Sequence, residues 1–370
     1  MRTICPDTVH GIVNRITDSM FNYQAWPTVA RDEKGTLYAV ASGFRMRHIC
    51  PFGKTVMYIS RDEGKTWTPP MVINDTYLDD RDAGILYLGN GKLLVTWFTR
   101  AAAYEYSAEK RARLAARLRP GALLAYDGMM DAYAHLTDEE TTIGSYVRVS
   151  EDYGVTWGPA VALPVTAPHG PCQCKDGTLL YMGNHHKRVG VPGDNSVQVY
   201  RSRDEGKTWE FVCKPNNNPD WLKPGEKFCE PHVLELPDGR ILGAVRVQGR
   251  DPYSIATAFS EDGGETWSEF VCTDVSGSPP HLMLHSSGAL ICTYGRREAP
   301  YSQRAMVSYD LGKTWEEEYI LDDRSEVTDL GYGSTVELDD GSLMTVYYQK
   351  YEDDAHCSIL YTRWNLDAKE

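Results

Sequence analysis

The stretch Ser202-Arg203-Asp204-Glu205-Gly206-Lys207-Thr208-Trp209 recurs at 60–67, 150–157, 260–267 and 308–315, always as Ser-x-Asp-x-Gly-x-Thr-Trp. Each fixed position has a mechanical use. Asp accepts backbone N–H bonds inside a tight turn, and Gly supplies the positive φ that such a turn requires. Ser and Thr bond to nearby backbone, while Trp buries a large ring where the chain re-enters a strand. The motif reads as a stitched hairpin turn, which argues for a scaffold and carries no chemistry of its own.

A second repeat interleaves with the first. Gly35, Gly91, Gly177, Gly239, Gly288 and Gly341 each sit in a short polar turn followed by an apolar run, as in Asp238-Gly239-Arg240-Ile241. Asp-Gly and Asn-Gly between apolar runs are strong hairpin signals. Six such hairpins, alternating with five boxes, predict six four-stranded modules. The fold class is therefore all-β: a six-bladed β-propeller forming a single domain over residues 1–370. Residues before Ala25 are expected to help close the ring against the last blade.

The second module is longer than the others, which places an insertion at about 99–141. Residues 107–118 carry a helix-start serine and good helix formers, with Pro120-Gly121 as the expected stop. The insertion is thus partly helical: a surface helix, a lid over a site, or a contact through which an oligomer forms.

Composition narrows the partners. A net charge of −14 disfavours nucleic acid and anionic membranes, and no stretch approaches a transmembrane span. The start Met1-Arg2-Thr3-Ile4-Cys5-Pro6 has no apolar core of a secretory signal, and nine scattered cysteines read as reduced thiols. Both point to a cytoplasmic protein.

In a four-stranded blade the Gly turns and boxes share one face of the ring, and the remaining loops share the other. That second face collects Arg45-Met46-Arg47-His48, Asn184-His185-His186-Lys187-Arg188, Arg246, Arg250, Arg296 and Arg297. It also collects Asp79-Asp80-Arg81-Asp82, Pro168-His169-Gly170, Cys229-Glu230-Pro231-His232 and Asp329-Leu330-Gly331-Tyr332. Ionisable groups segregated by loop class mark a site.

The boxes resemble the Asp boxes of sialidases and their relatives, the neuraminidase superfamily of Asp-box or BNR-repeat propellers. That resemblance spans nearly the whole chain. It implies a Tyr nucleophile in Gly331-Tyr332-Gly333-Ser334, activated by Glu230, with Arg246 sixteen residues further on. Arg304 or Arg297 would supply another arginine, whose planar fork suits a carboxylate. The chain departs from the pattern in two places. Ala25-Trp26-Pro27 stands where the family has Arg-Ile-Pro, and no carboxylate occupies the usual acid position near Arg47-His48-Ile49-Cys50. His48 or Asp82 would then serve as acid/base, and Arg81, Arg45 or Arg47 would rebuild the anion site, with His169 also facing the sugar.

The resemblance implies an exo-acting glycoside hydrolase taking a terminal sialic acid or another acidic sugar from an oligosaccharide or glycoconjugate, with no cofactor and no metal. Two alternatives share the fold: a lyase acting on uronate-containing oligosaccharides, and a non-catalytic glycan-binding propeller.

Overall fold

The computed structural model describes residues 1–100, 107–186 and 193–367. Residues 101–106 of the insertion, and Lys187 and Arg188 of the third module's loop, lie outside them. The described strands form six antiparallel sheets arranged as the blades of a propeller.

Blade 1 runs from the inner strand Tyr23–Arg31 through Leu37–Arg45 and Lys54–Ser60 to Met71–Asn74. The inner strands of blades 2, 4, 5 and 6 are Asp79–Gly89, Lys227–Glu235, Ser278–Leu284 and Gly331–Glu337. In blade 3 the inner strand is broken into Val165–Thr166 and Cys172–Gln173. The outer strand of blade 6 is Val9–Asn14, from the other end of the chain, paired antiparallel to Cys357–Trp364. This closes the ring as expected. Arg2–Ile4 adds a parallel fifth strand to blade 5, which the sequence did not announce.

Strands buried on both faces need apolar residues on both, and the core follows that rule. It divides into six clusters, one between each pair of neighbouring blades. The boxes clamp these interfaces. In the third box, Ser202 Oγ accepts from Gly206 N at 2.8 Å, and Asp204 accepts from Thr208 N and Oγ1 at 2.8 and 2.7 Å. The Trp209 indole donates to the Gly206 carbonyl at 3.0 Å. Gly206 has φ of 88°, and a Cβ there would stand 2.7 Å from Leu94 of blade 2. The corresponding glycines 64, 154, 264 and 312 press on Met344, Met57, Leu180 and Leu242, in each case on the preceding blade.

The insertion carries helix α1, Ala108–Ala115, whose start is fixed by Ser107 accepting from Lys110 N. The helix ends ahead of Pro120 as expected, but Pro120 has a further role. It opens a second helix, α2, Pro120–Tyr133, because a proline at the first helical position sacrifices no hydrogen bond. Leu114 and Tyr126 pack with Leu78, and Ala122 packs with Met46 and Cys50, so the hairpin is seated on blades 1 and 2.

Candidate active site

Five inner strands break register near their starts, the blade-5 strand between Ser278 and His281, and in the other four the break holds a non-glycine residue at positive φ. Those four breaks fall between Ala25 and Thr28, Arg81 and Gly84, Cys229 and His232, and Gly331 and Ser334. Inside them Trp26, Asp82, Glu230 and Tyr332 adopt φ of 55°, 47°, 50° and 56°. A non-glycine residue held there costs on the order of 1–3 kcal/mol, and such strain concentrates at functional sites. These residues therefore belong to bulged strands rather than to the loops from which the sequence placed them.

Tyr332 Oη donates to Glu230 Oε1 at 2.7 Å, and Arg246 Nη1 donates to Glu230 Oε2 at 2.7 Å. Arg246 also lies over the Tyr253 ring at 4.1 Å. Burial raises the Glu230 carboxyl, but the Arg246 charge and its hydrogen bond reverse this and hold it below the usual range. Tyr332 is pushed well above the ordinary tyrosine value by burial, then by the Glu230 and Asp82 charges. Asp82 moves opposite to Glu230. Burial lifts it to about 7, against the pull of Arg81 and with a push from Glu230. Asp82 Oδ1 and Arg246 Nε are buried without hydrogen-bond partners, two polar atoms at one mouth that a ligand would satisfy.

Trp26 fills the space where the family pattern has its isoleucine. Its ring is stacked by two guanidiniums, Arg81 at 3.9 Å and Arg45 at 4.6 Å. Arg45 has no exposed surface; its two terminal nitrogens are engaged with Asp79 at 2.7 Å, Ser42 and the His48 carbonyl, while its Nε is buried without a hydrogen-bond partner. It is a strut beneath Trp26, not a group facing the sugar. Arg81 is also mostly buried, donating to the His48 carbonyl at 2.9 Å and to Asp79 at 3.4 Å.

Of the two arginines offered for the blade-5 position, Arg297 is the one at the mouth. It lies 5.5 Å from the Tyr332 ring and donates to Tyr348 Oη at 3.1 Å and to the Leu330 carbonyl at 2.9 Å. Arg304 turns instead into blade 5, pairing with Glu318 at 2.5 Å beside Tyr294. Strand register decides this: Arg304 stands opposite Ile320 of the outer strand, so Glu318, two residues from Ile320, lies on the same face of the sheet and takes its guanidinium.

His48 stands at the rim, 47% exposed. Its Nδ1 lies 2.8 Å from Tyr23 Oη and 3.2 Å from Asp329. Asp329 also accepts from Tyr23 and Tyr348, and these contacts, led by His48, outweigh burial and bring it to about 2. His169, read from sequence as facing the sugar, lies lower, at 2% exposure and 6.3 Å from the Tyr332 ring. It packs against His281 at 4.9 Å and His232 at 5.8 Å, and the latter two rings stack at 4.8 Å. With Thr28 and Ser334 these imidazoles floor the mouth. His185 pairs with Asp194, away from this group. Trp26, Tyr253, Asp329 and the two deeper histidines had no readable signal beyond their presence in the same loop class or near Pro and Gly.

Fold and mouth together place the molecule among the sialidase-like propellers. The chain belongs to the BNR repeat-like domain family, whose model matches residues 129–344, and a BNR/Asp-box repeat matches residues 58–69 around the first box. A curated sialidase from Paraclostridium sordellii is 26% identical over 143 residues, which is 35% of this chain and 34% of that protein. The match thus spans about a third of that relative's length. Among solved structures, a protein of unknown function from Dyadobacter fermentans aligns with a TM-score of 0.75 and 22% identity, covering 96% and 98% of the two chains. The NanB sialidase from Streptococcus pneumoniae aligns at 0.66 and 14%, covering 96% of this chain and 70% of its own.

Proposed function

We propose that the chain is an exo-acting glycoside hydrolase that removes a terminal acidic sugar using Tyr332 and Glu230. The observation that carries this reading is the relay Tyr332–Glu230–Arg246. A buried phenol donates to a carboxylate whose far oxygen is fixed by a guanidinium, so the proton has a defined acceptor when the phenolic oxygen attacks. In the first step Tyr332 Oη bonds to the anomeric carbon and its proton passes to Glu230. The glycosidic C–O bond breaks as Asp82 delivers its proton to the leaving oxygen. In the second step a water attacks the same carbon and gives a proton to Asp82, while Tyr332 leaves and recovers its proton from Glu230.

The Arg246 Nε atom left unsatisfied, with Arg297 beside it, suits a carboxylate on the sugar. The imidazole floor makes the mouth a pit, which accepts a chain end rather than a chain passing through. Release of fluorophore from aryl glycosides of sialic acid, uronic acids and neutral sugars tests the reading. One acidic glycoside should turn over, with kcat falling about 10²–10⁴-fold in Tyr332→Phe and Glu230→Gln. Turnover that survives both substitutions would sink the proposal. An unsaturated product absorbing in the ultraviolet would replace it with elimination.

A further inference from the structure

Between the loops that follow the second strands of blades 4 and 5 lies a cavity of about 500 Å³, a size that small-molecule sites commonly have. It shares two residues with the mouth. Tyr253 carries the Arg246 guanidinium over its ring at 4.1 Å, and Arg297 lies 5.5 Å from the Tyr332 ring; both also line the cavity. A sugar held by Arg246 and Arg297 therefore has space beyond it for a further unit. The walls are fixed in place. Gly249 has φ of 89°, and a Cβ there would stand 2.5 Å from the Gly225 carbonyl oxygen, so the blade-4 loop lies tight against the entry to its own blade. Gly277 N donates to the Tyr253 carbonyl at 2.9 Å and ties the same loop to the link into blade 5.

The lining says what would fit. Arg250 is occupied, forked onto Glu226 at 2.9 and 2.8 Å and donating to Cys272 at 3.0 Å. Two carboxylates also line the cavity. Glu298 meets Arg296 at 3.3 Å, and Asp251 has no ion pair among the described residues. A second acidic sugar would be repelled by them. An apolar group would strip water from Gln248, Ser276 and Thr328 and return no hydrogen bonds. Sugar hydroxyls meet both demands, since each donates one bond, as to Asp251, and accepts others, as from Ser276 or Thr328. Pro252 and the Tyr253 ring supply an apolar surface for the C–H face of such a sugar.

We propose that this cavity is a subsite for an uncharged sugar unit linked to the acidic one. The proposal deepens the hydrolase reading and takes from it only the acidic sugar at Arg246 and Arg297. The test is calorimetric titration of the full chain carrying Tyr332→Phe, so that no probe is consumed. Glucuronic acid is compared with glucuronosyl-glucose, whose neutral unit lies on the leaving side, and with glucosyl-glucuronic acid, whose neutral unit lies on the other. Sialic acid and sialyllactose form a second comparison. Two further changes are made in turn: Asp251→Ala/Thr328→Ala removes hydrogen-bonding groups, and Thr328→Trp fills the cavity from an exposed position on its rim. Each is checked for an unchanged melting temperature.

At least one of the larger probes should bind about 10- to 100-fold tighter than its acidic monosaccharide, the gain expected of one or two added hydrogen bonds. Both changes should abolish that gain and leave the monosaccharide binding as before. The disaccharide that gains identifies the side of the bond on which the cavity acts. Larger probes binding no tighter than the monosaccharides, a gain that survives either change, or no binding of any probe would overturn the proposal. Titration needs no turnover, and the aryl glycosides carry no second sugar, so the two readings fail separately.

Discussion

Glu230 and Asp82 are carboxyls buried in the same mouth, yet their surroundings drive them apart. Arg246 bonds directly to Glu230 and keeps it ionised, whereas the Arg81 guanidinium stays 4.0 Å from Asp82 and burial dominates there. Two titratable groups pushed in opposite directions give an assignment of base and acid. With Asp82 at about 7, activity should fall as pH rises through 7, because the proton for the leaving oxygen is lost. Asp82→Asn should abolish that limb of the kcat/KM profile and lower kcat most for substrates with poor leaving groups. The stability effect has its own sign. The folded pKa lies above the unfolded value of about 3.9, so this group's contribution is present at low pH and lost as pH rises toward and past 7. Asp82→Asn should therefore melt higher than wild type at pH 8, and a lower melting point would contradict the assignment.

Tyr332, Glu230 and Arg246 were legible at this scale because Gly331-Tyr332-Gly333-Ser334 and the sixteen-residue step from Glu230 to Arg246 resemble the sialidase pattern. Arg304 was not, since which face of a strand a side chain takes depends on register.

Among the elements, the boxes and the bulges divide the labour. Boxes sit on one face and fasten blades 1 to 5 each to its predecessor, and bulges sit near the other and aim side chains into the mouth. Asp204→Ala removes three hydrogen bonds at the third box, from Ser202 Oγ, Thr208 N and Thr208 Oγ1, and should cost about 1–3 kcal/mol. Gly206→Ala adds a Cβ at positive φ against Leu94 and should cost about 1–3 kcal/mol. Neither touches the mouth, so urea melts should shift while kcat stays constant; a collapse of kcat in a folded variant would show that the two faces are coupled. The boxes could be read directly because they are local, a turn closed by its own eight residues. The bulges could not, because a register break is defined only against the neighbouring strand. The stop ahead of Pro120 was legible, since α1 ends at Ala115, but α2 was missed for a related reason: only the packing of Ala122 and Tyr126 shows a second helix beginning at Pro120.

At the scale of the whole molecule, the repeated boxes make acid stability a collective property. The Asp62, Asp152 and Asp262 carboxyls are depressed by hydrogen bonds from Thr66, Thr156 and Thr266, Asp262 to about 2. Folded values below the unfolded value of about 3.9 give stability that is present above that pH and lost as pH falls through the folded values. Melting temperature should therefore drop steeply between about pH 4 and pH 2, and less steeply in a variant with Asp262→Asn; an acid limb that begins well above pH 5 would mean other groups control it.

The sequence by itself determined the six-bladed ring, the two faces and the segregation of charge onto one of them. Each follows from turns written in contiguous residues and from the alternation of strands. The tertiary structure alone decided that Trp26 takes the place beside Arg81 and Arg45, that Arg297 rather than Arg304 reaches the mouth, and that three histidines floor it. Those outcomes depend on which residues from distant blades share a few ångströms, and that distance is set by ring closure and strand register, which no local pattern encodes.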